Sequence, residues 1–512
     1  MFLSVIISVW GDPTFWSPVK YHVEYVKSKD CKDYKASSRD YKSTLGALME
    51  LYGDARVLLF VASTLVEFSG RVFNGYREVV DYVNLKVSNY LESGEYCVDS
   101  GRIELKVLPG IGRFKPRGSG LVNFIGDINA FRVAASISAY EFISRMNPET
   151  LILDISHGIN YMPVYVRQSV YDAFNAYVAL GGKKEARWVV YNSEPFSREA
   201  NVKDLRLNIV EDVEIDVLKG RNHLYNEFES LYVDGNFNPY EPNVKKLESI
   251  HEWRKLNESA IKFVKFSTTG LIIPLIDAMK GLIEIKREKL MNELKKYSYL
   301  ENCDDIVEIT ANENSLNIKY LYTPQYQTIL MIFIRDIVEK LSDKEIIEIE
   351  NTYEIETLKR IAEKFIREPG KTLVKNEISQ IKERTEICEK LQIKLNEWTP
   401  YKTIIEISEK PVKIEDKNIK KLITIYRDYK NKKIEEEKFK EILMKGIENI
   451  QEDIEKSMKT KSIDKRNFIA HASLESNITL ISTRNGKIYL KYSTENNMQE
   501  QLNRILKEII KQ

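Results

Sequence analysis

The stretch that decides the fold of the N-terminal half is Thr150-Leu151-Ile152-Leu153-Asp154-Ile155-Ser156-His157-Gly158-Ile159-Asn160-Tyr161-Met162-Pro163. Its first six residues form an apolar run typical of a buried strand, and a polar loop follows. The loop ends at Pro163, a residue favoured at the first position of a helix. A strand, a polar loop and a helix in this order are typical of doubly wound α/β domains, in which loops at the carboxyl ends of strands form the ligand crevice.

The remainder of residues 1–191 alternates apolar runs with helical patterns, which indicates a mostly parallel sheet with helices on both faces. Seventeen of the chain's 22 glycines lie before residue 250, so the two halves differ in architecture. We predict a Rossmann-like domain over residues 1–191. Its further strands are predicted at Ser4 to Val9, Arg56 to Ala62, Ile103 to Leu108 and Trp188 to Tyr191, and its helices at Ser43 to Tyr52, Gly75 to Leu91, Phe131 to Met146 and Pro163 to Leu180.

Polar residues at three strand ends are the candidate ligand-binding residues of this domain. A backbone at Gly158 can approach a phosphate closely, and the side chains of Ser156 and Asn160 can bind ribose or base. The full candidate set is Trp10, Gly11, Asp12, Ser63, Thr64, Asp154, Ser156, His157, Gly158 and Asn160. The alternative is that Ser156 only caps a helix and that Asp154 and His157 are structural. The glycines from Gly110 to Gly120 lack the spacing of a dinucleotide-binding loop.

Residues 192–243 are interpreted as a connector with one alternating segment, Leu205 to Val217, that predicts a strand or a hairpin. Residues 244–512 are rich in Ile, Lys and Glu with 3.6-residue periodicity, which predicts a helical domain. The clearest helical patterns run from Ile250 to Phe266, Glu354 to Ile366 and Glu435 to Met458. A β-hairpin is expected between Thr479 and Tyr492, because Asn485-Gly486 is a strong hairpin-turn signal.

The second candidate site is the segment from Asp464 to Ala472. On a helical wheel, Arg466, Asn467, Ala470 and His471 share one arc, and Phe468, Ile469 and Ala472 occupy the other. Arginine can stabilise charge on a phosphorane, histidine transfers protons near neutral pH, and asparagine can orient either partner. The segment is therefore a candidate for metal-independent RNA cleavage, although ordinary exposed helix residues remain the alternative.

Composition limits the classes of protein and of compartment. The 512 residues carry 77 basic and 76 acidic side chains, so any nucleic-acid contact must be local. Four scattered cysteines, Cys31, Cys97, Cys303 and Cys388, suggest neither disulfides nor a zinc site, which favours a cytoplasmic location. The apolar start MFLSVIISVW predicts a buried strand rather than a signal sequence, and no membrane span is expected.

The two motifs together resemble those of the CRISPR-associated CARF-HEPN ribonucleases that accompany type III effector complexes. The run from Asp154 to Asn160 is similar to the CARF signature, Asp-x-(Ser/Thr)-x-Gly-x-(Asn/Arg/Lys) after a core strand. Arg466-Asn467-x-x-x-His471 is similar to the HEPN signature, an Arg and a His separated by four residues. Their order, in an α/β and a helical context, also fits that family.

This resemblance implies a function. The CARF domain would bind a cyclic oligoadenylate, with cyclic tetra-adenylate the expected activator, across a two-fold axis. Paired HEPN domains would form one site for single-stranded RNA, in a homodimer or a higher even oligomer. Cleavage would proceed by attack of the RNA 2′-hydroxyl, leave a cyclic phosphate and need no metal or other cofactor.

Two other classes of protein are alternatives to a ribonuclease. A ligand-gated transcription regulator of the CARF type would need a basic recognition helix, and the near-neutral helical half offers no obvious one. A nucleotide-dependent oxidoreductase is disfavoured by the missing glycine fingerprint.

Overall fold

The structure, a computed structural model, divides the chain into two compact units. The first comprises Met1–Glu258 and Leu282–Lys340, and the second comprises Ser259–Gly281 and Leu341–Gln512. The structure describes residues 3–28, 31–71, 73–93, 99–116, 119–158, 160–196, 203–231, 237–241, 249–299, 306–342, 351–390, 395, 397–409 and 462–511. This division differs from the predicted boundaries at residues 191 and 243, because the first unit takes in the connector and part of the expected helical half.

The elements of the first unit are mostly strands of one central sheet and the helices between them. The strands are β1 (Ser4–Trp10), β2 (Lys20–Ser28), β3 (Cys31–Ala36), β4 (Arg56–Ala62), β5 (Ile103–Leu108), β6 (Gly112–Phe114), β7 (Leu121–Ile125), β8 (Thr150–His157), β9 (Glu185–Ser193), β10 (Asp204–Asp216), β11 (Tyr240–Glu241), β12 (Val307–Ala311), β13 (Ser315–Tyr320) and β14 (Thr323–Pro324). The helices are α1 (Thr44–Leu51), α2 (Tyr76–Glu92), α3 (Asn129–Met146), α4 (Tyr161–Ala179), α5 (Val217–Leu231), α8 (Arg287–Tyr299) and α9 (Gln327–Leu341).

The central sheet has the order β3-β2-β10-β9-β8-β1-β4-β5 among the described residues. The run from β9 to β5 is parallel throughout. Strands β1, β4 and β8 are almost wholly buried. Their residues Ile6, Leu59 and Ile152 pack in one core with residues of α1 and α2, and helices α3 and α4 also contact the sheet. The predicted parallel α/β domain is confirmed, and all five predicted strands and four predicted helices are present.

Strand β10 is the alternating segment of the predicted connector, and it forms one long strand rather than a hairpin. It pairs antiparallel with β9 and parallel with β2, so it belongs to the central sheet. Helix α5 follows it and approaches α4 closely at Gly220, where a Cβ would lie 2.7 Å from the carbonyl oxygen of Asn175. The connector is therefore part of the first unit.

A second sheet, with the order β12-β13-β7-β6, corrects the expectation that the C-terminal half is helical apart from one hairpin. Strand β13 pairs parallel with β7, and Asn123 donates to Asn317 across that pair at 2.7 Å. Two strands, β12 and β13, thus lie after residue 300, where helices were predicted, and both belong to the first unit.

The second unit contains helices and a small sheet. Helices α6 (Ile250–Thr269) and α7 (Ile272–Ile283) have residues in both units, and the second unit adds α10 (Ile355–Phe365), α11 (Gly370–Lys390), α12 (Tyr401–Glu409), α13 (Lys465–Ala470) and α14 (Asn496–Lys511). The sheet has the order β15-β18-β17-β16, with β15 (Tyr353–Glu354), β16 (Thr399–Pro400), β17 (Thr479–Arg484) and β18 (Lys487–Tyr492). The helix predicted from Glu435 to Met458 lies outside the described residues.

The predicted hairpin is confirmed in β17 and β18. Asn485 and Gly486 have φ angles of 54° and 72°, the left-handed values that a two-residue hairpin turn of type I′ requires. In the part of the chain that the structure describes, no helix is long and apolar enough to cross a membrane.

Candidate functional site

Three polar loops meet at one edge of the central sheet. Strand β1 lies between β8 and β4 and runs parallel to both, so the carboxyl ends of the three strands are neighbours. Trp10, the last residue of β1, is in register with His157 of β8 and with Val61 of β4. The structure therefore brings together the loops that the sequence proposed for a ligand, which we call the sensor edge.

Asp154 is fully buried beneath this edge and serves as a hydrogen-bond acceptor. Its Oδ2 accepts from Ser8 Oγ at 2.9 Å and from Thr44 Oγ1 at 2.7 Å, and its Oδ1 accepts from the backbone N–H of Ser156 at 3.1 Å. The carboxylate thus ties β1, α1 and the loop together. Asp154 holds the shape of the sensor edge from below.

Ser156 also makes an internal bond, because its Oγ accepts from the backbone N–H of Ser193 at 3.0 Å. This bond joins the ends of β8 and β9. Ser156 therefore has a structural role, but it links two strands and does not cap α4. Helix α4 begins at Tyr161, two residues before Pro163, where the sequence placed its start.

His157 is held on three sides at the sensor edge. Its Nε2 accepts from the backbone N–H of Thr44 at 3.1 Å, and its ring stacks on Trp16 with 4.1 Å between centroids. Its carbonyl accepts from the N–H of Gly11 at 2.6 Å. Burial lowers the pKa of His157, and the nearby charge of Asp154 opposes that shift. The imidazole is therefore neutral in the folded protein near physiological pH.

Asn160 is the most exposed described residue of the motif, and Gly158 is half-buried. Asn160 is exposed at the start of α4, and its side chain makes no capping bond. A Cβ at Gly158 would lie 2.7 Å from Cδ of Pro163, so a side chain there would displace that ring. Ile159, between them, lies outside the described residues.

The other candidate residues of the sensor edge differ in exposure. Trp10 and Ser63 are fully buried, and Thr64 is 3% exposed. Asp12 is half-buried and accepts from the N–H of Thr14 at 3.0 Å. Ser63 Oγ accepts from the N–H of Gly110 at 2.7 Å, so it fixes the loop after β5. These side chains shape the edge more than they line its surface.

The second candidate site lies on α13, a helix of six residues. Asp464 caps its start by accepting from the N–H of Asn467 at 2.9 Å. The helix ends at Ala470, and the two residues after His471 have left-handed φ angles of 50° and 67°. Arg466, Asn467, Ala470 and His471 are exposed, whereas Phe468 and Ala472 are fully buried. The exposed arc therefore matches the one expected from the helical wheel.

Family models match both regions of the chain. Residues 5–195 match the CARF domain of the CRISPR system endoribonuclease Csx1, and residues 367–495 match the HEPN domain of the same family. The chain belongs to the CARF-HEPN ribonuclease family of CRISPR systems. The HEPN match favours this family over the transcription regulators considered as the alternative.

A full-length relative is also similar. A CRISPR system endoribonuclease Csx1 from Methanocaldococcus jannaschii is 24% identical over 96% of this chain and 90% of the relative. A solved structure titled "Enterococcus italicus Csm6 bound to cyclic hexa-2'-fluoro-hexa-dAMP" covers 76% of this chain and 87% of its own, at 13% identity. Its TM-score of 0.23 is too low to support an inference about this chain.

The HEPN domain contains a partner for His471 that the sequence did not reveal. Nδ1 of His471 lies 3.0 Å from Oε1 of Glu377 on α11, a side chain that is only 8% exposed. Glu475 is also buried nearby in the chain, and burial raises the pKa of its carboxyl. Because Glu377 is 94 residues from His471 and sits in an ordinary helical pattern, no local motif indicates this pair.

The CARF domain likewise contains residues that the sequence did not single out. Thr44 supplies both a hydroxyl to Asp154 and a backbone N–H to His157. Tyr161 Oη accepts from the N–H of Ile111, and Tyr320, which belongs to the first unit but lies outside the CARF match, donates to the carbonyl of Gly110 at 2.8 Å. The position of Thr44 directly after Ser43, a helix-capping residue, was the one available signal.

The depressed pKa of His157 predicts a pH-dependent stability of the CARF domain. At pH values between the folded and the unfolded pKa of His157, the imidazole is protonated in the unfolded chain and neutral in the folded protein. Stability from this residue is therefore present above about pH 6.5 and is lost as the pH falls below it. We expect the melting temperature of His157→Gln to fall less than that of the wild type between about pH 7.5 and about pH 5.5. Differential scanning fluorimetry measures this, with exposed His251→Gln as the control; equal losses in wild type and His157→Gln would contradict the assignment.

Proposed function

We propose that this protein is a single-strand endoribonuclease of type III CRISPR defence, activated by a cyclic oligoadenylate that binds the CARF domain. The observation that carries the proposal is the exposed set of Arg466 and Asn467 on α13 and His471 directly after it, inside the region that matches a HEPN domain. The sensor edge supports the other half, because half-buried Gly158 and exposed Asn160 precede helix α4, and phosphates bind well at the start of a helix. The proposed activator is cyclic tetra-adenylate.

In the proposed cleavage, the RNA 2′-hydroxyl attacks the adjacent phosphorus and the 5′-oxygen of the next nucleotide leaves. The products are a 2′,3′-cyclic phosphate and a 5′-hydroxyl. His471 moves the proton, and Arg466 stabilises the charge that develops on the phosphorane. With Nδ1 directed at Glu377, Nε2 is the nitrogen that remains for the substrate. Glu377 is thus a positioning residue that holds the orientation of the His471 ring.

The proposed active form is a homodimer. One α13 helix offers few groups around a phosphate, and a two-fold axis would double them. Light scattering combined with an activity assay tests this point. An active monomer would contradict it.

Cleavage is expected to need no metal ion. Among the described residues, no group of three or more His, Cys, Asp or Glu side chains is placed to hold one. We therefore expect the RNA cleavage rate in excess EDTA to equal the rate in buffer with Mg²⁺. Activity that disappears in EDTA and returns with added metal would overturn this part of the mechanism.

A further inference from the structure

A partly exposed tryptophan in the second unit has two cationic side chains over its ring. The guanidinium carbon of Arg484 is 5.3 Å from the ring centroid of Trp398, and Nζ of Lys491 is 4.3 Å from it. Arg484 ends β17, Lys491 lies in β18, and Trp398 directly precedes β16. We call these three residues the hairpin cluster.

The two cations of the hairpin cluster differ from a third cation on the same hairpin. Neither Arg484 nor Lys491 forms an ion pair with a carboxylate among the described residues, whereas Lys487, on the same hairpin, pairs with Glu354 at 3.1 Å. Glu397 is the acidic neighbour of Trp398 in sequence. The whole chain has a net charge of only +1, so this is a local excess.

The cluster and the catalytic helix lie against opposite faces of the hairpin. Tyr492 is on the inner face, where its hydroxyl donates to the carbonyl of Ser473 at 2.9 Å and its ring lies 6.4 Å from that of Phe468 on α13. Lys491 is the preceding residue of the same strand, so its side chain points to the other face. Arg484 is paired with Lys487, four pairs along the hairpin from the pair of Leu480 and Lys491, and an even number of pairs puts it on the same face as Lys491. The hairpin therefore connects the cluster directly to α13.

We propose that Trp398, Arg484 and Lys491 form a second binding site for single-stranded RNA, separate from the cleavage site on α13. An aromatic ring that can stack with a base, together with cations over that ring that can contact phosphates, is a combination that single-stranded nucleic acids bind. The inference rests on the proposed function, in that the RNA held here is the one that the HEPN domain cleaves. The site anchors RNA away from the scissile phosphate and so lowers KM for long substrates without contributing to the chemical step.

Binding, measured without cleavage, tests the site. The full-length chain carrying His471→Ala is titrated against a fluorescein-labelled single-stranded RNA of about 20 nucleotides, and anisotropy gives Kd. Adding Arg484→Gln and Lys491→Gln should raise Kd about tenfold and reduce the slope of log Kd against log salt by about 1.4, as expected for two lost phosphate contacts. Trp398→Leu should raise Kd about tenfold without changing that slope.

The matched control is Arg504→Gln with Lys507→Gln, which removes the same charge from exposed positions of α14. Equal Kd values for the hairpin and control variants would overturn the proposal. The proposal would also be overturned if a polyglutamate peptide bound as tightly as RNA and lost its affinity in the same three variants, because the surface would then bind an acidic protein. Circular dichroism checks that each variant is folded, since Arg484 is exposed but Lys491 is half-buried. RNA binding that depends on the cluster, in a wild-type chain that cleaves nothing, would contradict the proposed function and leave this site standing.

Discussion

His471→Ala is expected to abolish RNA cleavage while the protein remains folded and still binds its activator. The side chain is 47% exposed and lies outside the core, so its removal should leave the packing of Phe468 unchanged. A lost proton-transfer group costs at least about a hundredfold in rate. A gel assay with labelled single-stranded RNA and saturating activator measures the loss.

Three further variants define the cleavage site. Arg466→Ala should be as severe as His471→Ala, and Asn467→Ala should be milder, because an orienting group contributes less than a charge-stabilising one. Lys465→Ala, on the same helix but paired with Glu508, is the control and should leave the rate unchanged. Retained cleavage in purified His471→Ala or Arg466→Ala would disprove the site assignment.

Gly158→Glu is expected to abolish activation or to shift the activator dose response to much higher concentration. The variant places an anion where the proposed ligand brings a phosphate, at a half-buried position just before α4. An activator can raise activity only by binding the active arrangement more tightly than the inactive one, so a weakened site weakens activation. Basal cleavage, which depends on α13, should survive.

The matched control is Gly158→Gln, which has the same shape without the charge. Both side chains must displace Pro163, since any Cβ at this position lies 2.7 Å from its ring. The steric effect is therefore shared, and the difference between the two dose responses isolates the charge. Asn160→Ala should cause a smaller shift, because it removes one contact. Activation of Gly158→Glu at the wild-type concentration of activator would show that this loop is not the sensor.

The central strands could be predicted from sequence because both of their faces are buried. Arg56–Ala62 and Ile103–Leu108 have the bounds that their apolar runs indicated. Strand β3 was missed because all of its residues are exposed and its sequence, CKDYKA, has no apolar pattern. The pairing of β13 with β7 was missed for another reason. It joins residues about 190 apart, and no local periodicity records such a contact.

The candidate sites show the same limit. The positions of Asn160 on an open loop and of His471 on an exposed arc follow from local motifs and helical geometry. The internal bonds of Asp154 to Ser8 and Thr44, and of His471 to Glu377, depend on tertiary packing between distant segments. Sequence could name the motif residues, but it could not say that Asp154 and Ser156 support the loop from within.

The most direct test of the central claim is one RNase assay on the purified full-length chain, with and without cyclic tetra-adenylate, and with cyclic hexa-adenylate in parallel. The account predicts weak cleavage of single-stranded RNA without activator and a large increase with one of the two rings. It also predicts that Gly158→Glu removes the increase and that His471→Ala removes all cleavage. A cleavage rate that neither cyclic oligoadenylate changes would contradict ligand gating, and the absence of cleavage under every condition would contradict the nuclease assignment itself.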